Sequence, residues 1–358
     1  MTKNSQRLPS MPAGLKALAE QLGLSQSTVS RALREHPGIP DKTRRRVMAA
    51  AEKVGYQPNA RARGLAIGRT EAIGLVFPIE RLQLEETNFV DVLAGISDVV
   101  TRRNHSLLMS PFTGDEGTVL RKLASSKAVD GVIITRPLVQ DPRIALLTDL
   151  GLPFVVHGRS EVAIPYSFVD IDNEAIFERL TGLLLDYGHR RIVALNSFLQ
   201  FRYAAARAEG FYKAWAARGL DPAPAQMLET PMTERAGYDC ATRALAGPDA
   251  PTAFVCGSIF LARGVYRAVA ERGLKVGRDV SVACHDDGLR GIRASEFNPP
   301  LTATYSPVRE HGEHLAALLI DLTEAKAGAP HRILPADLIL RESVGLAPSA
   351  AAHTGLNE

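Results

Sequence analysis

The sequence predicts an all-helical helix-turn-helix domain at the N-terminus, followed by an α/β core of two doubly wound parallel-sheet lobes. Short amphipathic helices with a polar outer face occupy residues 14–57. From residue 71 onward, continuous apolar runs alternate with amphipathic helical segments, which is typical of parallel strands covered on both faces. The runs are too numerous for one compact sheet, so two sheets that divide near residues 169–172 fit the pattern better.

Residues 24–33 carry the most specific signal. Ser25 is a small polar cap before a short helix whose inward side holds Val29, Ala32 and Leu33. The outward side presents Gln, Ser, Thr, Ser and Arg, which suits a helix that enters a DNA major groove. A preceding helix over residues 15–22 is joined to it through Gly23, and a third helix begins near Asp41.

Charge is distributed unevenly along the 358 residues. The net charge of the chain is +3, but residues 1–69 carry +9 and the remainder carries −6. A basic N-terminal region on an acidic body indicates a module that binds a polyanion, attached to a second module with another task.

The three cysteines, Cys240, Cys256 and Cys284, are odd in number and lack CxxC spacing. This argues against a disulfide framework and against a zinc finger, and it favours a reducing compartment. The first twelve residues lack the apolar stretch of a signal peptide, and no apolar run approaches a membrane span. We therefore expect a cytoplasmic protein without a membrane association.

The core strands are expected at the apolar runs 72–77, 106–109, 131–134, 154–156, 167–169, 191–195, 253–256 and 280–283. Amphipathic helices are expected between them, at 88–103, 174–187, 204–218 and 260–272. Ligands of such folds bind beyond the carboxyl ends of the strands. The cleft between the two lobes is therefore the expected ligand site.

At the level of whole motifs, the chain resembles the lactose-repressor (LacI/GalR) family of bacterial transcription regulators over about residues 14–345. The matching stretches are LKALAEQLGLSQSTVSRALRE, IPDKTRRRVMAAAEKVGYQPNARARGLAIGRTEAIGLVFP, FVDIDN, GHRRI, RAEGFYKAW, GLKVGRDVSVACHDD, PPLTATYSP and LILRESVG. The resemblance implies a homodimer that binds a pseudo-palindromic operator in double-stranded DNA. It also implies a core similar to periplasmic sugar-binding proteins, with a small effector between the lobes and three crossovers joining them.

On this resemblance we expect a tail and helix-turn-helix domain over residues 1–58 and a hinge over 59–70. The bilobed core takes residues 71–345, and a flexible tail takes 346–358. Within the core, the first lobe is expected at 71–169 and 299–328, and the second at 170–298 and 329–345.

The resemblance also assigns the DNA contacts. Gln26, Ser27 and Arg31 match base-reading positions, and Gln and Arg side chains suit bidentate contacts to base edges. Thr28 and Ser30 are better placed for phosphates, as are residues at the start of the third helix, namely Lys42, Thr43 and Arg44.

The second DNA element implied by the family is a hinge helix over residues 59–66. It begins at Asn59, and Leu65, next to Ala66, would wedge between base pairs in the minor groove. Gly64 departs from the helix-prone residues usual there, so we expect the hinge to become ordered only on DNA.

For the effector, Arg207 matches the family's gripping arginine, and Asp286 matches an acidic residue that accepts sugar hydroxyls. Phe89 matches a ligand-stacking aromatic position beside Asn88. Ser258 stands where many members have Asn-Asp, and His157 with Arg159 replaces a common Asp-Arg. Arg202 and Phe260 add polar and aromatic surface near the expected cleft.

These groups favour an uncharged carbohydrate, and the resemblance to regulators of α-glucoside use points to a disaccharide such as trehalose, sucrose or maltose. We expect no cofactor and no metal. An enzyme is the first alternative, with Asp170/Asp172 or Asp286/Asp287 as paired carboxylates, but no phosphate loop, GxSxG elbow or HExxH motif accompanies them. A stand-alone binding protein is the second alternative. The sequence does not separate repression from activation.

Overall fold

The computed structural model describes residues 14–33, 36–56, 69–78, 87–222, 225–325 and 328–348. The chain forms two compact units, residues 1–70 and 71–358. Within the ranges just given, no helix is both long and apolar enough to cross a membrane. Nor do His, Cys, Asp and Glu side chains there form a group of three or more that could hold a metal ion.

The N-terminal unit contains three helices, α1 (Leu15–Leu22), α2 (Gln26–Leu33) and α3 (Asp41–Lys53). Gly23 adopts a left-handed φ of 62° at the turn between α1 and α2, a conformation that glycine adopts without steric cost. The side chains that hold the three helices together are almost wholly buried and include Leu18, Val29 and Val47. The predicted helix-turn-helix is confirmed.

The first sheet of the core has the strand order β11-β5-β4-β3-β1-β2, and all of its pairings are parallel. Its strands are β1 (Ala72–Pro78), β2 (Ser106–Phe112), β3 (Gly131–Thr135), β4 (Phe154–His157), β5 (Ser167–Ile171) and β11 (His331–Leu334). The helices of this lobe are α4 (Thr87–Arg102), α5 (Glu116–Ser126), α6 (Pro142–Asp149) and α11 (Val308–Ala325). Helices α4 and α11 pack on one face, while α5 and α6 cover the other.

The second sheet has the order β12-β10-β9-β8-β6-β7 and is parallel except for the antiparallel pair β10–β12. Its strands are β6 (Ile192–Asn196), β7 (Gln226–Glu229), β8 (Ala253–Cys256), β9 (Ser281–Asp286), β10 (Thr302–Tyr305) and β12 (Asp337–Ile339). Helices α7 (Asn173–Asp186) and α8 (Arg202–Ala216) cover one face. Helices α9 (Glu234–Ala246) and α10 (Ile259–Glu271) cover the other.

Helices α4 and α11 cross with their backbones in contact. A Cβ atom added to Gly95 would lie 2.0 Å from the carbonyl oxygen of Arg309, and one added to Gly312 would lie 2.1 Å from that of Val92. Only glycine leaves room for this approach, so the pair is locked in one packing arrangement.

The strand pairing corrects the expected lobe bounds. β10 lies between β9 and β12 in the second sheet, although residues from 299 onward were expected in the first lobe. Conversely, β11 pairs with β5 in the first sheet, although residues from 329 onward were expected in the second lobe. The three crossovers therefore lie at residue 172, at 306–307 and at 335–336.

Candidate DNA-reading helix and effector cleft

The outer face of α2 carries the expected base-reading side chains. Gln26, Ser27 and Arg31 are all exposed. Ser25 caps the helix, because its Oγ accepts a hydrogen bond from the amide of Thr28 at 3.1 Å. The same Oγ lies 2.8 Å from the hydroxyl of Ser27, so the side chain of Ser27 already has a hydrogen-bond partner within the protein.

The residues expected to contact phosphates lie around α2 and the start of α3. Thr28 and Ser30 are half-buried beside the reading face. Lys42 is exposed, Thr43 is half-buried and Arg44 forms an ion pair with Asp41. The three expected hinge contacts, Asn59, Leu65 and Ala66, fall outside the described residues.

Arg207 lies on α8 and is 5% exposed in the cleft between the lobes. Its Nε donates to Oδ1 of Asn173 at 2.8 Å, and its Nη1 donates to the carbonyl of Gly257 at 2.9 Å. The rings of Phe177 and Tyr203 lie 5.5 and 5.3 Å from the guanidinium. These contacts use the hydrogen of Nε and one of the two on Nη1, so the hydrogens of Nη2 are the ones that we expect a ligand to reach.

A polar chain continues from Arg207 into the first lobe. Nδ2 of Asn173 donates to Oδ1 of Asp170 at 3.2 Å, and Oδ2 of Asp170 accepts from Nε of Arg159 at 2.7 Å. Burial raises the pKa of Asp170, while the charge of Arg159 opposes that shift. Arg159, expected at the ligand, is therefore committed mainly to Asp170 beside the first crossover.

Asp286 is the last residue of β9 and Asp287 follows it, and the two carboxylates have different partners. Oδ1 of Asp286 accepts the amide of Gly288 at 2.8 Å, and burial raises the pKa of Asp286. Asp287 Oδ2 accepts from Nδ2 of Asn88 at 3.2 Å, which ties the two lobes together. Among the residues the structure describes, no side chain bonds Oδ2 of Asp286, so this oxygen is the carboxylate atom best placed to accept a ligand hydroxyl.

Burial alone would raise the pKa of Asp287, but His285, Arg207 and His311 outweigh that effect and hold the pKa below its usual value. The Oδ1 of Asp287 lies 3.3 Å from Nε2 of His285. Asp287 is therefore an ionised structural group of the cleft, close enough to Arg207 to balance its charge.

His157 stands at the carboxyl end of β4 and begins a hydrogen-bonded line that crosses the lobes. Its Nε2 lies 3.2 Å from Nδ1 of His311, whose Nε2 lies 3.0 Å from Oγ of Ser306 in the second crossover. Burial lowers the pKa of His157 to about 4 and that of His311 to about 3. Both imidazoles are therefore neutral at pH 7.

The remaining expected effector residues occupy less direct positions. Ser258 caps α10 by accepting the amide of Leu261 at 3.3 Å. Phe89 packs 5.0 Å from Phe77, centroid to centroid. The guanidinium of Arg263 lies 5.9 Å from the half-buried ring of Phe260.

Arg202 is engaged by two carboxylates. Its Nε lies 2.9 Å from Oε1 of Glu161, and its Nη2 lies 3.1 Å from Oε2 of Glu209. The expectation that Arg202 offers its fork to the ligand does not fit this geometry, because both edges of the guanidinium already bind protein carboxylates.

Sequence reasoning did not assign four residues to the cleft: Asp170, Asn173, Asp287 and His311. It weighed Asp170 and Asp287 only as carboxylates of an enzyme. Asp170 and Asn173 lie in the stretch FVDIDN, near the end of β5 and at the start of α7, on either side of the first crossover. His311 carried no local signal, because it meets His157 across 154 residues of sequence.

Comparison with known proteins supports both halves of this description. Residues 14–59 match the family model for bacterial regulatory proteins of the lacI family, and residues 181–344 match a periplasmic binding protein-like domain. The chain is 40% identical over 342 residues to the HTH-type transcriptional regulator AglR of Rhizobium meliloti (strain 1021), covering 94% of this chain and 96% of that protein.

Two solved structures extend the comparison. A lac repressor dimer bound to operator and the anti-inducer ONPF superposes with a TM-score of 0.81 at 26% identity, covering 94% of this chain and 100% of that chain. A complex of the transcriptional regulator CelR with cellobiose gives a TM-score of 0.66 at 26% identity, covering 92% and 99%.

Proposed function

Because the chain belongs to the lacI family of bacterial transcription regulators, we propose that it represses carbohydrate-utilisation genes under the control of a small sugar bound between its lobes. The family is one of DNA-binding regulators, so the alternative of an enzyme is set aside. We further propose that the sugar is an α-glucoside disaccharide and that the chain acts in the cytoplasm as a homodimer on a pseudo-palindromic operator. Residues 1–58 would bind DNA, 59–70 form the hinge, and 71–345 form the core.

The observation that carries the proposal is the balance of charge in the cleft. The guanidinium groups of Arg207 and Arg159 face the carboxylates of Asp170 and Asp287. His157 is neutral because burial lowers its pKa to about 4. Asp286 adds a third carboxylate, and burial raises its pKa. Such a cleft offers donors and acceptors without an excess of positive charge, which suits a polyhydroxylated neutral ligand.

A phosphorylated sugar fits this cleft poorly. Arg207 already donates to Asn173 and Gly257, and Asp287 is ionised nearby. A dianionic phosphate would meet that carboxylate, whose charge already balances the charge of Arg207. The complex of CelR with cellobiose and the operator-bound dimer of lac repressor support a sugar effector and a dimer for relatives of this chain.

Thermal-shift measurements test the effector class directly, because a ligand of the folded state raises the melting temperature. We expect trehalose, sucrose or maltose to raise it, and glucose 6-phosphate and hypoxanthine to leave it unchanged. Stabilisation by either of the latter two alone would contradict the proposal.

Asp286→Asn tests the proposed acceptor. The amide keeps an oxygen for the amide of Gly288 and replaces the free acceptor with a donor. We expect the thermal shift with the active disaccharide to disappear while operator affinity in a gel-shift assay stays within about twofold. Asp172→Asn is the matched control, because Asn caps α7 as well as Asp does. An undiminished shift in the Asp286 variant would refute the assignment.

Activation is the second candidate function, and the sequence leaves it open. A reporter gene behind a fragment selected by the purified protein from genomic DNA distinguishes the two. Repression predicts higher reporter expression when the regulator is deleted, and activation predicts lower expression.

A further inference from the structure

Two loops, one from each lobe, contact each other beside the cleft. Residues 136–139 follow β3 in the first lobe, and residues 200–202 lead into α8 in the second. The amide of Val139 donates to the carbonyl of Gln200 at 3.0 Å, and the amide of Arg202 donates to that of Pro137 at 3.0 Å. Leu138 and Phe201 form an isolated antiparallel bridge between them. We call these two segments the clasp.

Side chains reinforce the clasp. Arg202 reaches across to Glu161 in the first lobe, with 2.9 Å between Nε and Oε1, and is 19% exposed. The guanidinium of Arg136 lies 4.5 Å from the centroid of the Phe201 ring in the second lobe. The clasp therefore combines two backbone hydrogen bonds, an ion pair and a cation–π contact, all between the lobes.

Each half of the clasp is held in place by its own lobe. The carbonyl of Val139 accepts from the amide of Glu161 at 2.7 Å and from Oγ of Ser160 at 2.9 Å. In the second lobe, the amide of Leu199 donates to Oε2 of Glu229 at 2.8 Å. Closing the clasp therefore joins two preorganised segments and orders little additional chain.

We propose that Arg202 is a positioning residue for effector binding, which acts by holding the clasp shut over the cleft. The contacts of the clasp join residues of the two lobes directly, so they stabilise the closed arrangement. A ligand that binds this arrangement then gains apparent affinity, because less of its binding free energy is needed to bring the lobes together. The effect on ligand affinity rests on the proposed function, whereas the existence of the clasp does not.

Amide hydrogen exchange measures clasp opening without any sugar. The amides of Val139 and Arg202 are protected by interlobe hydrogen bonds, whereas the amide of Gly158 is bonded to Val169 within the first lobe at 2.8 Å. Glu161→Gln removes the charge that Arg202 binds across the lobes, and an exposed ion pair of this kind corresponds to about a two- to fivefold change in an equilibrium. We expect the two clasp amides to exchange about two- to fivefold faster, with Gly158 unchanged.

Glu209→Gln is the matched control, since Glu209 binds the same guanidinium at 3.1 Å from within the same helix. We expect this variant to leave the exchange of both clasp amides unchanged. Equal acceleration in both variants, no acceleration in the Glu161 variant, or unprotected clasp amides in the unmodified chain would each overturn the proposal. Both glutamates lie on the surface, and circular dichroism verifies that the variants fold.

The clasp and the effector assignment can fail separately. Acceleration of the clasp amides by Glu161→Gln supports the clasp even if no disaccharide raises the melting temperature. If a disaccharide does bind, it should slow exchange at Val139 and Arg202 in the unmodified chain. Acceleration of these amides by bound sugar would contradict the role of Arg202 in effector binding.

Discussion

The Nε of Arg207 donates to Oδ1 of Asn173 at 2.8 Å, and the Nδ2 of the same amide donates to Asp170 at 3.2 Å. One amide thus connects the buried guanidinium of the second lobe to a buried carboxylate of the first. Asn173 is the first residue of α7, directly after the first crossover. Its orientation is fixed from both sides, because reversing the amide would place a donor against Arg207 and an acceptor against Asp170.

Asn173→Ala removes the bonds to Arg207, Asp170 and the carbonyl of Ile171, and it leaves the Nε of the buried Arg207 without this acceptor. We expect the free energy of unfolding to fall by about 1.5–3 kcal/mol, the range for a hydrogen bond to a charged group. Urea denaturation at pH 7 measures this loss. Ser125→Ala, on the exposed side of α5, is the control, and a loss for Asn173→Ala as small as the control's would contradict the role of the amide.

Arg31→Ala tests base reading by α2, where Arg31 is exposed near the C-terminal end of the helix. We expect affinity for a selected operator fragment to fall by about 1–3 kcal/mol, because a bidentate base contact is lost. Affinity for random DNA should fall much less. Lys42→Ala, at an exposed residue of α3 expected to contact phosphate, should weaken both kinds of binding about equally. Equal losses for Arg31→Ala on both DNAs would show that Arg31 does not read bases.

The pair His157 and His311 predicts a loss of stability in acid. Burial holds their pKa values at about 4 and about 3, below the ordinary value of 6.5 that the unfolded chain retains. Between pH 6.5 and about 4 the unfolded chain therefore binds protons that the folded chain does not, and the free energy of unfolding falls as pH falls. Above pH 6.5 neither the folded nor the unfolded chain protonates these two histidines, so this loss of stability is absent there.

Urea denaturation at pH 5.0 and pH 7.5 measures this dependence. We expect His157→Gln to reduce the difference in the free energy of unfolding between the two pH values. The reduction is about 1.4 kcal/mol for each pKa unit that no longer separates the folded from the unfolded state. His105→Gln, at a half-buried position whose Nδ1 lies 2.9 Å from the carbonyl oxygen of Arg103, should leave the difference intact. An unchanged pH dependence in the His157 variant would rule out this explanation.

Gly95→Ala tests the crossing of α4 and α11. The new Cβ would lie 2.0 Å from the backbone oxygen of Arg309. Because that oxygen belongs to a helix backbone, the clash is relieved only if the two helices move apart. We expect a loss of about 1–3 kcal/mol in the free energy of unfolding. Gly182→Ala, also within a helix, is the matched control, because its Cβ would meet only the end of the Arg218 side chain. That variant should stay within about 1 kcal/mol of the unmodified chain in the same urea titration.

The sequence predicted the elements whose burial follows from a local pattern, either one apolar helix face or a continuous apolar run. The helix-turn-helix and the central strands β3, β6 and β8 belong to this class, because their burial is dictated by local pattern. The strands β7, β10, β11 and β12 were missed. All four are short, and β7, β11 and β12 are partly exposed, as Ile333 illustrates at 50% exposure. Their formation depends on partner strands distant in sequence.

The cleft shows the same division. Resemblance drew attention to Arg207, but no local pattern indicated that Asn173 and Gly257 would accept hydrogen bonds from its Nε and Nη1. Arg202 was expected at the ligand because it lies near Arg207 on α8. Its partner Glu161 lies 41 positions earlier in the chain and in the other lobe, so the ion pair became evident only from the fold.

The close crossing of Gly95 and Gly312 bears on how the core can move. Because their backbones are in contact, α4 and α11 cannot slide past one another without separating, and we expect the first lobe to move as one rigid body with bending at the three crossovers. A tilt of that lobe would carry Ala72, the first residue of β1, with it.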